Sequence, residues 1–153
     1  MRKMANDMTD FAALVHENSL DLSRTDISDL SPLAALTKLQ RLDLMNTPVS
    51  DVTPLSTLTK LQRLDLMNTP VSDVTPLSAL PNLHWLNLRG TGVSDVTSLS
   101  ALTKLQRLNV VNTPVSDMTP LSALTNLRTL WLSKSMIGKV RGVELLGNKV
   151  GWV

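Results

Sequence analysis

The letters LTKLQRLDLMNTPVSDVTPLS stand at positions 36 to 56 and again, unchanged, at 58 to 78. They belong to a longer rhythm, because Leu-x-Leu or Leu-x-Val triplets begin at Leu20, Leu42, Leu64, Leu86, Leu108 and Leu130, each 22 residues after the last. A fixed period in the twenties marks a solenoid, in which one supersecondary unit is copied and stacked. It also argues against an active site, which needs particular residues converging from unique places in the chain. Six coils are expected. In the second of them the pattern is carried by Leu36, Leu39, Leu42, Leu44, Thr47, Val49, Val52 and Leu55.

Local signals divide each coil in two. RLDLM alternates polar and apolar residues, so Leu42 and Leu44 point one way while Arg41, Asp43 and Met45 point the other, as in a half-buried strand. Farther on, Thr53 can cap a short helical turn whose first position is Pro54, where a missing N–H costs nothing. Leu55 and Leu58 then share one side. A single coil buries too little aliphatic surface to offset the backbone entropy of its residues. Stacked neighbours cover each other's open faces and satisfy the strands' hydrogen bonds, so the outermost coils need caps.

Both ends of the chain suit that need. In TDFAALVHEN, Thr9 or Asp10 can start a helix whose Phe11, Leu14 and Val15 form an apolar stripe. After Leu132 the repeat decays into SKSMIGKVRGVELLGNKVGWV, losing the SDxTPL segment while keeping Ile137 and Val140 in register. The organisation read from this is an N-terminal capping helix over 1–18, repeats over 19–133 and a C-terminal cap over 134–153. Val150, Trp152 and Val153 either finish a seventh strand within that cap or touch a partner.

Composition removes several classes of function. With 153 residues and 42% hydrophobic content the chain is the size of one domain with a sizeable core. Aromatic residues make up 3%, so leucine and valine must supply nearly all of the packing. The net charge of +2 comes from 15 basic and 13 acidic residues mixed along the chain. With no Lys/Arg-rich run and no basic-aromatic interleaving, nucleic acid is not an expected partner.

The absence of cysteine excludes a disulfide framework, a thiol nucleophile and a cysteine metal site, and suits a reducing compartment. FAALV, the longest apolar run near the start, is too short for a signal peptide, and nothing approaches the roughly 20 apolar residues of a membrane span. A cytoplasmic location is expected; delivery into a host cell without a signal peptide is the alternative.

No catalytic residue, cofactor or metal is expected. His16 and His84 lie about three coils apart, roughly 14 Å by strand spacing. The repeated Asp29, Asp51, Asp73, Asp95 and Asp117 fit turn hydrogen bonds better than calcium, which wants several carboxylates where a coil offers one. There is no G-x-S-x-G elbow and no base beside a unique nucleophile. GTG at 90 to 92 reads as a variant turn, with Gly92 where other coils carry Pro48, Pro70 and Pro114; local drift in the repeat is the expected meaning, and a looser patch edge beside Arg89 the alternative.

With these residues on view, the chain resembles the 22-residue leucine-rich repeats of bacterial internalins, over positions 17 to about 140. The resemblance implies an α/β solenoid: a right-handed superhelix with a curved parallel sheet on the concave side and short 3-10 or helical segments on the convex side. It also implies protein binding through the concave sheet. Where that family carries an asparagine ladder this chain has Thr25, Thr47, Thr69, Thr91 and Thr113, so hydroxyls are expected to replace the amides. The secretion signals, Ig-like tail and cell-wall sorting motif usual in internalins are not seen, and the extracellular role is not carried over.

The concave face is read from the residues flanking each Leu-x-Leu pair. The first column is Ser19, Arg41, Arg63, Trp85, Arg107 and Thr129; the second is Asp21, Asp43, Asp65, Asn87, Asn109 and Trp131; the third is Ser23, Met45, Met67, Arg89, Val111 and Ser133. Strands lie about 4.8 Å apart, which puts Trp85 within stacking reach of Arg63 and Arg107. Tryptophan and arginine are enriched at binding hot spots. The expected partner-binding set is therefore Arg63, Met67, Trp85, Asn87, Arg89, Arg107, Val111 and Trp131.

Competing readings stay open. Trp85 could merely cover arginine stems, Trp131 could pack against the C-terminal cap, and the Arg-Asp pairs could only keep the sheet solvated. The threonine column could present hydroxyls to ice, although Thr47 is expected to turn inward. The function expected is a monomeric protein-interaction module with an unidentified protein partner. Its alternatives are an engineered or purely structural scaffold and a non-catalytic regulatory subunit.

Overall fold

A computed structural model describes residues 18–153 of the chain. The helix expected over 1–18, and His16 with it, lies outside the described residues apart from Asn18. From Asn18 onward the chain winds through strands β1 (Ser19–Asp21), β2 (Arg41–Asp43), β3 (Arg63–Asp65), β4 (Trp85–Asn87), β5 (Arg107–Asn109), β6 (Thr129–Leu132) and β7 (Val150–Trp152). These pair in chain order as one open, curved, parallel sheet. Leucine pairs with leucine in register, Leu20 with Leu42 and onward to Leu108 with Leu130, so the 22-residue period becomes a step of one strand. The last step is shorter, because Leu130 pairs with Val150.

The leucines expected to point inward do so, since Leu36, Leu39, Leu42, Leu44, Val49, Val52 and Leu55 are all fully buried, as are their copies one period on. Each coil then closes through a five-residue 3-10 turn such as Thr53–Thr57 or Thr75–Ala79. Pro54 fixes the backbone at its start, Leu55 fills the core, and the Leu58 N–H donates to the Leu55 carbonyl to end it. Neighbouring turns pack on one another as the strands do, giving two stacks around one core.

The cap of this turn differs from the sequence reading. Thr53 is its first residue, not its cap, and no side chain caps Val52 before it. The Thr53 N–H instead donates to Asp51 Oδ1 at 2.8 Å, and the same bond recurs at Asp29, Asp73, Asp95 and Asp117. The aspartate, not the proline, sets this geometry, because the turn Thr97–Ala101 has Ser98 where the others have proline and keeps the same bond to Asp95. Hydrogen bonding from Thr53 keeps the Asp51 carboxyl below its ordinary range, and the four others are lowered by the same kind of bond.

The threonine column also behaves differently. Thr47, Thr69, Thr91 and Thr113 turn inward and are buried, but each hydroxyl donates to a carbonyl three residues earlier in its own coil, at 2.7 Å. The hydroxyls therefore close their own turn, being too short to reach the next coil. Next to this column, one side-chain bond between coils is made by the preceding residue: Asn68 Nδ2 donates to Asn46 Oδ1 at 3.0 Å. Asn46, Asn68 and Asn112 all sit at positive φ, a conformation asparagine tolerates, and Gly90 takes that place at φ 70° in the fourth coil. A Cβ at Gly90 would collide with Asn68 Oδ1.

The variant turn at 90 to 92 is not loosened. Gly90 N–H donates to the Val111 carbonyl, as Asn68 N–H does to that of Arg89, and Gly92 N–H adds a bond to the Val71 carbonyl that proline could not make. Beyond β6 the register drifts. Met136 is buried at the end of the 3-10 turn Lys134–Met136, whereas Ile137, expected in the core, is 57% exposed and Val140 only partly packed. β7 then adds to the sheet edge, with Val150 and Trp152 resting against the core.

Candidate functional site

On the concave face the strands position side chains by register alone. Trp85 on β4 pairs with Arg63 on β3 and Arg107 on β5. The Arg63 guanidinium lies over the Trp85 ring, its Cζ 3.6 Å from the ring centroid, and Arg107 stands exposed on the far side. The stacking holds the half-buried indole flat against its neighbour while one edge stays open.

The second column does more structural work than its exposure in sequence suggests. Asp21, Asp43, Asp65, Asn87 and Asn109 each accept, through Oδ1, the backbone N–H two residues on, which bends the chain out of the strand. Asn87 also donates Nδ2 to Asp65 Oδ1 at 3.0 Å, and both residues are buried, at 7% and 8% exposure. Burial pushes the Asp65 carboxyl above its ordinary range, against the hydrogen bonds from Met67 and Asn87 that lower it. Asn87 is thus a tie between coils rather than an exposed contact residue.

The third column is mixed. Arg89 is exposed and Met67 half-buried, while Val111 keeps only 4% of its surface and shares a hollow with Trp85 and Trp131. Ser133 turns in to accept the Asn112 N–H and to donate to Asn112 Oδ1. Trp131 is half-buried and pairs in register with Gly151 of β7, against which its indole lies in ordinary van der Waals range. Four of the expected residues, Trp85, Arg89, Val111 and Trp131, meet around a shallow hollow of about 260 Å³, together with Asn109 and Val153. Arg63, Met67 and Arg107 lie outside it, and Asn87 lies beneath.

Asn109 was left out of the expected set, although it stands in a column already aligned and its substitution for aspartate was the available signal. Val153 was read as strand or partner contact at the chain's end, and the shortened last coil, which brings it beside Leu132, joins it to this hollow. Among the described residues no group of three His, Cys, Asp or Glu side chains could hold a metal, and no helix is long and apolar enough to cross a membrane. Among the described residues, His84 Nδ1 is buried without a hydrogen-bond partner.

Two segments, 18–57 and 81–123, match the family model described as Leucine Rich repeats (2 copies). The chain belongs to the leucine-rich repeat family. Its repeats are of the internalin kind. The structure is similar to an internalin (inlF) of Listeria monocytogenes at 34% identity and TM-score 0.79, covering 83% of this chain and 38% of that one. It is also similar to internalin C2 of the same species at 30% identity and TM-score 0.71, covering 88% of this chain and 70% of that one. A Leptospira interrogans leucine-rich repeat protein, at 22% identity and TM-score 0.78 over 92% of this chain, shares the fold. This leucine-rich repeat chain thus spans well under half of the first internalin's length. No curated protein matches it significantly.

Proposed function

We propose that this chain binds a protein partner through the C-terminal half of its concave sheet, around Trp85 and Arg89. Leucine-rich repeat domains are generally protein-interaction modules and generally non-catalytic. The observation that carries the finer reading is the hollow itself: two half-exposed indoles, an exposed guanidinium and a valine floor gathered where the repeat stops copying itself. Large amphipathic side chains of this kind concentrate binding energy, because they desolvate much surface while fixing few torsions. The reading includes a monomeric chain with no metal, cofactor or nucleic acid, working in the cytoplasm or in a host cell entered without a signal peptide.

The test is paired capture from cell lysate with the parent chain and a Trp85→Ala, Arg89→Ala variant whose fold is verified by circular dichroism. A protein held saturably by the parent and lost by the variant supports the concave site; a protein held equally by both rejects it. The verbatim copy at 36–56 and 58–78 favours a second reading, a structural scaffold with no evolved partner. It predicts no saturable capture by either chain.

A further inference from the structure

The two halves of the concave sheet carry different charge. Along β1 to β3 the flanking columns hold Arg41 and Arg63 against Asp21, Asp43 and Asp65, two cations facing three carboxylates. A hollow of about 200 Å³ at that end is lined by both signs, with Asp21 and Asp43 beside Arg41 and Arg63, and by no aromatic ring. From β4 to β6 the aspartates are replaced by Asn87, Asn109 and Trp131, and the same columns hold Arg89 and Arg107 with no carboxylate. The backbone bonds of the second column survive the change, because Asn87 and Asn109 still accept the N–H groups of Arg89 and Val111 through Oδ1. The turn chemistry is kept while the negative charge is removed. What remains is an aromatic hollow with one exposed guanidinium, Arg89, in its lining and a second, Arg107, exposed on the adjoining strand.

The hollow's size narrows the occupant. At about 260 Å³ it falls below the roughly 300–1,000 Å³ of small-molecule sites, and it is open and shallow where those are enclosed. It admits one bulky side chain, not a metabolite. Trp85, Trp131, Val111 and Val153 line it beside Asn109 and Arg89, a mainly apolar surface that favours an apolar side chain. Arg63 is engaged over Trp85, which leaves Arg89 at the rim and Arg107 one strand beyond as the cations still able to pair.

We infer that the occupant is an acidic peptide segment of a partner, one large apolar side chain seated between Trp85 and Trp131 and flanked by carboxylates that pair with Arg89 and Arg107. This rests on the concave-face reading above and names the chemistry of its ligand. Guanidinium forks pair with carboxylates in two parallel bonds, so the rim sets register while the hollow supplies most of the affinity.

The test selects a display library of random 12-residue peptides on the immobilised chain. Enriched peptides are then measured by quenching of tryptophan fluorescence against the parent, Trp85→Ala, Arg89→Glu and Arg41→Glu. Expected are sequences with Leu, Met, Phe or Trp between Asp or Glu residues. Their binding should weaken at least about tenfold with Trp85→Ala and with Arg89→Glu, recover in Arg89→Glu when the peptide acids are changed to lysine, and be little altered by Arg41→Glu. Enriched peptides that are neutral or basic, yet lost with Trp85→Ala, would overturn the acidic ligand while leaving the concave site standing. Peptides indifferent to Trp85→Ala and Arg89→Glu would overturn both. No enrichment would reject the hollow as a peptide site, leaving lysate capture to decide the broader reading. Polyuridylate bound by the parent and released by Arg89→Glu would replace the peptide by a nucleic acid and overturn the inference.

Discussion

Coils two and three share every letter from Leu36–Ser56 to Leu58–Ser78, yet their concave residues live in different surroundings. Asp43 is half-buried, while Asp65 keeps 8% of its surface. Arg41 projects into solvent, whereas Arg63 lies over Trp85. Neither difference originates in the coil that shows it. β2 is followed by a copy of itself, and β3 is followed by β4 with Trp85 and Asn87 in register. In a stack where each unit touches only its neighbours, the role of a concave residue belongs to a pair of coils. The role of a core residue belongs to the coil pattern itself.

The largest expected effect tests the shared half of that comparison. Leu42 and Leu64 occupy the same place in consecutive strands, and both are fully buried. Leu42→Ala and Leu64→Ala should each cost about 2–5 kcal/mol, through lost transfer energy and the cavity left behind. Urea denaturation of the two variants should give nearly equal losses. A gap between them comparable with the effect itself would show that core roles also depend on the neighbour.

Next in size is Asn87→Ala. It strips one partner from the buried Asp65 carboxylate and removes the side-chain acceptor of the Arg89 N–H. Leaving buried polar groups unmatched costs about 1–3 kcal/mol. Asn109→Ala should cost less, because Asn109 is half-buried and its side chain accepts from the Val111 N–H of its own coil. Equal losses in urea denaturation would remove Asn87 as a tie between coils.

A smaller effect separates two aspartates by sign. Burial raises the Asp65 carboxyl pKa above its unfolded value, so its protonation favours the fold; that contribution is complete below the unfolded pKa and lost as pH rises through the folded one. Asp65→Asn removes a buried charge while keeping an acceptor, and should raise the thermal midpoint at neutral pH, with the gain shrinking on acidification. Asp51 runs the other way. The Thr53 hydrogen bond lowers its pKa, so its contribution is present above the unfolded pKa and fades as pH falls through the folded one. Asp51→Asn should therefore lower the midpoint at neutral pH and converge with the parent in acid. Gains of the same sign in both variants would contradict these assignments.

The same contrast explains what was legible in the letters. Period, strand, inward leucines and parallel stacking were readable because each is set by a pattern within one coil, and Leu42 looks like Leu64 wherever it stands. Trp85 beside Arg63 was readable too, since a 22-residue step converts sequence spacing directly into strand neighbours. Other features depend on how far a side chain reaches. Thr47 was given the work of an amide, but its hydroxyl reaches only the carbonyl of its own turn. Asn87 and Val111 were placed on the surface by alternation, but Asn87 is buried where it bonds across to Asp65 and Val111 where it shares a hollow with Trp85 and Trp131. Ile137 and Val153 lie where the period breaks, and there the step that carried every earlier inference no longer applies.

The finest test of the comparison is the pair Arg41→Gln and Arg63→Gln. The two arginines have the same neighbours in sequence from five residues before to 15 after. Any difference between the variants must therefore come through the adjoining strands. Arg63 lies 3.6 Å from the Trp85 ring centroid, and a cation over an exposed ring is worth about 0.5–1 kcal/mol. Arg63→Gln should lose that amount in urea denaturation and shift Trp85 fluorescence, while Arg41→Gln should change neither. Combining Arg63→Gln with Trp85→Ala isolates the pair, since the interaction energy of the cycle should account for the loss in the single variant. If Arg41→Gln matches Arg63→Gln in stability, the guanidinium contributes through its own coil, and the neighbour's ring is then no part of what distinguishes two identical stretches of chain.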